Sequence, residues 1–118
     1  YIDWSYKIEN LYRFICAFDD PYPGAHTYIN NKKIYLKKAF IDYEEHFFHP
    51  FQYGIVYYKN SEYISICANG GSIHIKDLFD HKGKKIRIDD IALGSRFYTP
   101  TKYLESAKIK RIFYDRWF

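Results

Sequence analysis

The chain has 118 residues, with 18 Lys+Arg against 14 Asp+Glu, a net charge of +4, and 14 Tyr and 10 Phe. That length suits one domain with a genuine core, and with no long apolar run it offers no membrane span or signal segment, so a cytoplasmic location is expected. So mild a charge excludes a histone-like binder and permits nucleic-acid contact without requiring it, and the two cysteines, lacking a CxxC spacing, are expected to be buried free thiols.

Residues 5–18 carry a helical period. Ile8, Leu11, Tyr12 and Ile15 follow the i, i+3, i+4, i+7 rule, Lys7, Glu9, Asn10 and Arg13 populate the other face, and Ser5 is placed to cap. The helix must stop at about Asp19. Pro21 and Pro23 each fix φ and remove a backbone donor, and Asp20 and Tyr22, preceding them, are pushed to extended geometry. Gly24 then supplies a positive φ or a close backbone approach, and Ala25 opens the first strand. Asp19 and Asp20 sit where the helix dipole disfavours negative charge, which predicts a hydrogen-bonded turn.

Beyond this corner the pattern turns to β alternation. Residues 26–29 read as a strand and Asn30-Asn31-Lys32 as a turn that accepts positive φ. Ile34 and Leu36 alternate with Tyr35 and Lys37, but Ala39 and Ile41 continue on the opposite parity, which predicts a bulge near Lys37 and Lys38. Residues 42–52 have no clean period and read as a loop. Residues 54–58 read as a third strand. Ile64, Ile66 and Ala68 pair with Ile73 and Ile75 around an Asn69-Gly70-Gly71 turn. Residues 85–88 form a short fifth strand, residues 89–94 a turn or helical piece, and Thr101 is placed to cap a last short helix over 103–107. One helix with five or six short strands, without βαβ alternation, predicts a mainly-β chain folded as a small antiparallel barrel.

The chemistry-bearing residues are mostly basic. Lys32, Lys33, Lys37 and Lys38 fall on one hairpin. Lys82, Lys84, Lys85 and Arg87 follow the next, and Lys108, Lys110 and Arg111 lie near the end. On a barrel these would merge into a groove that tracks phosphates, with Tyr35 and Tyr57 available to stack on bases. A solvated face with flanking acids is the plainer alternative. His46 and His49 lack a third ligand at metal spacing, neither Cys16 nor Cys67 has a base nearby in sequence, and His74 reads as a residue on the strand face opposite Ile73 and Ile75. Glu44 and Glu45 read as a solvated loop. No catalytic residue and no metal site is expected.

Ile15-Cys16-Ala17-Phe18 followed by Asp20-Pro21-Tyr22-Pro23-Gly24-Ala25 resembles the IRAF-x-x-PYPGA signature of the C-terminal domain of methionyl-tRNA formyltransferases and related formyltransferases. The resemblance extends to Ile2-Asp3-Trp4-Ser5, to residues 32–39, to Gly54-Ile55-Val56, to Gly83-Lys84-Lys85 and to Leu93-Gly94. Cys16 stands where the family usually has Arg, so no role of that Arg is carried over. The resemblance implies an OB-like Greek-key barrel preceded by a helix, with Pro21, Tyr22, Pro23, Gly24 and Ala25 as its structural motif. It also implies that catalysis resides elsewhere, in an N-terminal domain whose Asn, His and Asp transfer a formyl group from 10-formyltetrahydrofolate to an amine. No such set maps onto this chain, so the cofactor is expected only in the missing domain. The lack of Met and the start at Tyr1 fit one domain cut from a larger two-domain enzyme.

In the tRNA enzymes this domain helps hold the acceptor end and stem of initiator tRNA, so assistance in tRNA binding is the first functional expectation. The segment Gly94-Ser95-Arg96-Phe97-Tyr98-Thr99-Pro100, continuing to Leu104-Glu105, looks more like the tails of formyltransferases that act on nucleotide-linked amino sugars. The domain would then serve as an accessory or dimerisation element. A free-standing OB-type nucleic-acid-binding module is the third possibility.

Overall fold

The computed structural model of the chain describes residues 1–43 and 48–105. One helix, α1 (Ile8–Ala17), precedes six strands: β1 (Ala25–Ile29), β2 (Lys32–Asp42), β3 (Val56–Lys59), β4 (Ile64–Ala68), β5 (Gly71–Asp80) and β6 (Lys85–Ile86). All strand pairs are antiparallel, in the order β1-β2-β5-β4-β3, with β6 on β5. Because β3, β4 and β5 run consecutively and β2 returns beside β5, the topology is a Greek key, the OB-like arrangement expected.

The sheet closes through an irregular segment, residues 94–98. Tyr28 and Tyr98 exchange backbone hydrogen bonds of 2.8 and 2.9 Å on the β1 side. On the β3 side Phe97 N–H donates to Gly54 O (2.9 Å), Val56 N–H to Ser95 O (2.9 Å) and Gly94 N–H to Val56 O (2.8 Å). The segment therefore satisfies the open edges of both outer strands, which removes the edges by which sheets associate.

Helix α1 buries Ile8, Leu11 and Ile15 against β2, β1 and β5, as its period requires. It begins later than expected, and Ser5 does not cap it. The Asp3 carboxylate takes both the Ser5 backbone N–H (3.0 Å) and its hydroxyl (2.6 Å), so the Ser5 side chain is committed to a local turn. The first helical amide is held instead by the hairpin turn, Ile8 N–H donating to Asn69 O at 2.8 Å. Leu11 has no exposed surface, so Leu11→Ala should cost about 2–5 kcal/mol, read as a fall in the denaturation midpoint in urea. An unchanged midpoint would place the core elsewhere. Cys16 corrects another expectation: it lies on the outer side of α1 and is exposed, whereas Cys67 on β4 is buried.

The corner behaves as its prolines dictate. Asp20–Pro21 is cis, Gly24 takes φ +117°, and a Cβ on Gly24 would lie 3.0 Å from Leu36 O. Asp19 makes the expected turn, accepting from Asp20 N–H at 2.7 Å, and also reaches across to Lys38 N–H at 2.9 Å. That second bond explains a correction in β2. No bulge occurs at Lys37 and Lys38: Lys37 pairs with Asp77 and Ala39 with Ile75, so the register stays in step. Instead Lys38 adopts φ +57° and gives its amide to Asp19, and β2 and β5 both change inward parity at this level. The register shift of the sheet falls in β3, between Val56 and Tyr58.

Other boundaries also move. β2 continues to Asp42, so the loop begins later than the sequence suggested, and Pro50–Gln52 forms a 3-10 turn. The third strand starts at Val56, and β6 stops at Ile86 because Arg87 leads into a second 3-10 turn, Ile88–Asp90. The last helix starts at Thr101 itself, which is therefore not its cap, and is described to Glu105; Ser106 and Ala107 lie outside the described residues. Among the described residues no helix is long and apolar enough to cross a membrane.

Candidate functional site

Two turns meet at one end of the barrel. The β1–β2 turn uses Asn30 and Asn31 at φ +49° and +64°, the geometry that asparagine tolerates best among residues with a side chain. Asn31 is further fixed by the Tyr98 hydroxyl, which donates to its Oδ1 at 2.8 Å. The β5–β6 turn is organised by Asp80, whose Oδ1 accepts from Lys82 N–H (2.8 Å) and Lys84 N–H (2.9 Å). The bond from Lys84, helped by a weaker one from Lys82, holds the Asp80 carboxyl below the usual carboxylate range against the opposing effect of desolvation. Since Ile34 pairs with Asp80 across β2 and β5, the two turns stand side by side. Between them lies a groove of about 710 Å³ lined by the polar residues Asn30, Asn31, Lys32, Lys33, Asp80, His81, Lys82 and Asp90 and by the apolar Ile29, Ile34, Ile86 and Ile91.

The expected basic residues divide among several surroundings. Lys32 and Lys82 line the groove. Lys33 borders it, but its ammonium lies over the rings of Tyr1 and Tyr35, 5.5 and 5.6 Å from their centroids. Lys37 is at the signature corner, paired with Asp20 at 2.6 Å, and Lys38 beside it is exposed. The hydrogen bond from Lys37 is the main reason the Asp20 carboxyl is held low. Lys85 pairs with Asp77 (3.3 Å) and Arg87 with Asp89 (3.4 Å) in a second groove, of about 420 Å³, which Lys76 and Glu62 also line. Lys84 is exposed on the β5–β6 turn. Lys108, Lys110 and Arg111 lie outside the described residues, as do Glu44, Glu45 and His46. Tyr35 packs edge-on against His26, and Tyr57 lies 5.2 Å from the Phe48 ring.

Sequence reasoning missed two polar sites. His74 lies on the strand face opposite Ile73 and Ile75, as expected, but it is buried there: its ring nitrogens lie 3.5 Å from Ser65 Oγ, 3.4 Å from Ser72 Oγ and 3.3 Å from an Asp42 carboxylate oxygen. The rings of Phe40 and Tyr63, 4.7 and 4.5 Å away, cover this outer face of the sheet, which strand alternation alone would leave in water. His26 on β1 packs against Tyr1 and Tyr35, and burial, reinforced by positive charge nearby, pushes its imidazole down to about 4. Burial likewise pushes the Cys67 thiol up to about 11, which disfavours the nucleophilic thiolate. Among the described residues no three His, Cys, Asp or Glu side chains converge as a metal site.

Comparison with known proteins places these features in a family context. The family described as "Formyl transferase, C-terminal domain" matches residues 1–96, which takes in α1, the proline corner, all six strands and the start of the closing segment. A bifunctional polymyxin resistance protein, ArnA, from Wigglesworthia glossinidia brevipalpis is 40% identical over 45 residues, a stretch that is 38% of this chain and 7% of that protein.

Proposed function

The chain belongs to the formyltransferase C-terminal domain family, and we propose that it serves as the non-catalytic accessory domain of a longer formyltransferase whose substrate is a small, nucleotide-linked amine. In this reading formyl transfer from 10-formyltetrahydrofolate takes place on the N-terminal catalytic domain. The present barrel packs against that domain and completes the binding of the amine-bearing substrate. The distribution of basic side chains carries the choice of substrate. Of the expected basic residues that are described, Lys37, Lys85 and Arg87 each face an aspartate, Lys32, Lys33 and Lys82 line the groove, Lys84 lies on the β5–β6 turn and Lys38 at the signature corner. A tRNA stem carries a charge every few ångströms and is best served by one continuous track of unpaired cations. The domain instead presents short basic groups interrupted by acids.

The alternative, tRNA binding, is favoured by the exposed Lys84 and the net charge of +4, and one experiment separates the two. Initiator tRNA is titrated into the domain at low and at near-physiological salt. No saturable binding is expected, and the parent enzyme should formylate a nucleotide-linked amino sugar and ignore charged initiator tRNA. Saturable binding would reverse the assignment if log K fell with log salt by about 0.9 per phosphate neutralised and Lys84→Ala/Lys85→Ala flattened that slope by roughly two.

A further inference from the structure

We propose that the groove between the β1–β2 and β5–β6 turns binds a small amphipathic phosphate ester, its phosphate held by Lys32 and Lys82 and its less polar body laid on the isoleucine wall. The inference is independent of which amine the parent enzyme formylates. It starts from the register of β2 and β5. Ile34 opposes Asp80 at the end of the β2–β5 ladder, so Lys32, two residues before Ile34, and Lys82, two residues after Asp80, arrive at the same end of the barrel. Like charges brought into one groove repel, and a carboxylate at ion-pair distance would relieve them. Among the described residues neither ammonium lies at ion-pair distance from a carboxylate: the ion pairs involve Lys37, His74, Lys85 and Arg87. Asp80 shares the lining, but one of its carboxylate oxygens is turned to the amides of Lys82 and Lys84, where it holds the turn that presents Lys82.

The remaining lining fits the same ligand. Asn30 and Asn31 add carboxamides to the lining. The Oδ1 of Asn31 is occupied by the Tyr98 hydroxyl, which fixes the amide orientation and leaves its NH₂ group as the donor for an anion. Ile29, Ile34 and Ile91 are almost wholly buried yet contribute to the groove wall, which gives it a dry floor. Asp80 and Asp90 add two carboxylates to the lining, so the site is not a uniformly positive surface that would take any polyanion. At about 710 Å³ the groove is in the size range of small-molecule sites, which are mostly apolar with a few placed polar groups.

The test uses the whole chain and three probes, phenyl phosphate, inorganic phosphate and phenol, followed by amide chemical shifts. Phenyl phosphate should saturate at about millimolar concentration and move the amides of Asn31, Lys82 and Ile91 together, with both other probes weaker. Lys32→Ala/Lys82→Ala should weaken phenyl phosphate about tenfold or more while leaving the thermal midpoint in place, since both side chains are exposed. Lys84→Ala, which removes equal charge per residue outside the lining, should leave affinity unchanged. The proposal is overturned if phosphate alone binds as well as phenyl phosphate, if the lysine pair can be removed without loss, or if a short RNA binds the same amides more tightly than the ester.

Discussion

Gly54→Ala should cost more than about 4 kcal/mol of folding stability, whereas Gly94→Ala should cost only about 1–2 kcal/mol. The two glycines share a backbone geometry, φ +92° and +86°, so the conformational penalty of adding a side chain is nearly the same for both. What separates them is the space beside them. A Cβ on Gly94 would meet nothing within 4 Å, but a Cβ on Gly54 would lie 2.3 Å from the carbonyl oxygen of Phe97. That oxygen cannot move alone, because Phe97 N–H donates to Gly54 O and the adjoining Ser95 O accepts from Val56 N–H. Relieving the clash therefore detaches residues 94–98 from the β3 edge and opens the barrel. Domains of this size are stable by about 5–15 kcal/mol in total, so Gly54→Ala should leave a small margin. Urea denaturation of the pair decides the matter: equal losses would show that the closing segment yields without cost.

The contrast between these glycines also shows what could be read in advance. The apolar stripe of Ile8, Leu11 and Ile15 and the hairpin of Ile64, Ile66, Ile73 and Ile75 were legible because a regular element repeats its signal every two or four residues. Residues 94–98 carry no period. They hold the barrel shut through backbone amides and carbonyls, which every sequence has, and only Phe97 among them is buried. Lys38 was misread for a related reason. The parity change was visible, but the partner that allows it without an inserted residue is the Asp19 carboxylate, nineteen positions away and across the proline corner. The signature corner thus does more than end a helix: Asp19 and Asp20 also fasten the bend of β2 by binding Lys38 and Lys37.

The same limit applies to the candidate sites. Runs of lysine were visible in sequence, but whether a lysine is held by an acid or left for a ligand depends on long-range register. Lys37 and Lys85 lie in basic runs like Lys32 and Lys82, yet β2 and β5 set the first two against Asp20 and Asp77 and bring the second two to a shared groove. The buried His74 was hidden because alternation identifies which residues face the barrel interior and is silent on rings that cover the other face.

Phe97→Ala should be the most damaging large-to-small change, about 3–5 kcal/mol, with a fall in thermal midpoint of roughly 10–20 °C. Among the described residues Phe97 is the largest fully buried side chain, 1% exposed, and its ring stacks 5.7 Å from that of Trp4. Trp4 in turn donates its indole N–H to Thr27 Oγ1 at 2.9 Å, and the Thr27 hydroxyl donates to Tyr98 O at 2.8 Å. The N-terminal segment, β1 and the closing segment are therefore tied to one another around a single ring. Truncating that ring leaves a cavity at the seam, where the chain is irregular and held by few ladder bonds, so local opening should precede global unfolding. Amide exchange reads this directly. In Phe97→Ala the protection of Tyr28 and Tyr98 should collapse while Ile66 and Ile73, in the β4–β5 hairpin, keep most of theirs. Uniform loss at all four amides would mean that the barrel opens as one cooperative unit and that residues 94–98 are no weaker than its regular strands.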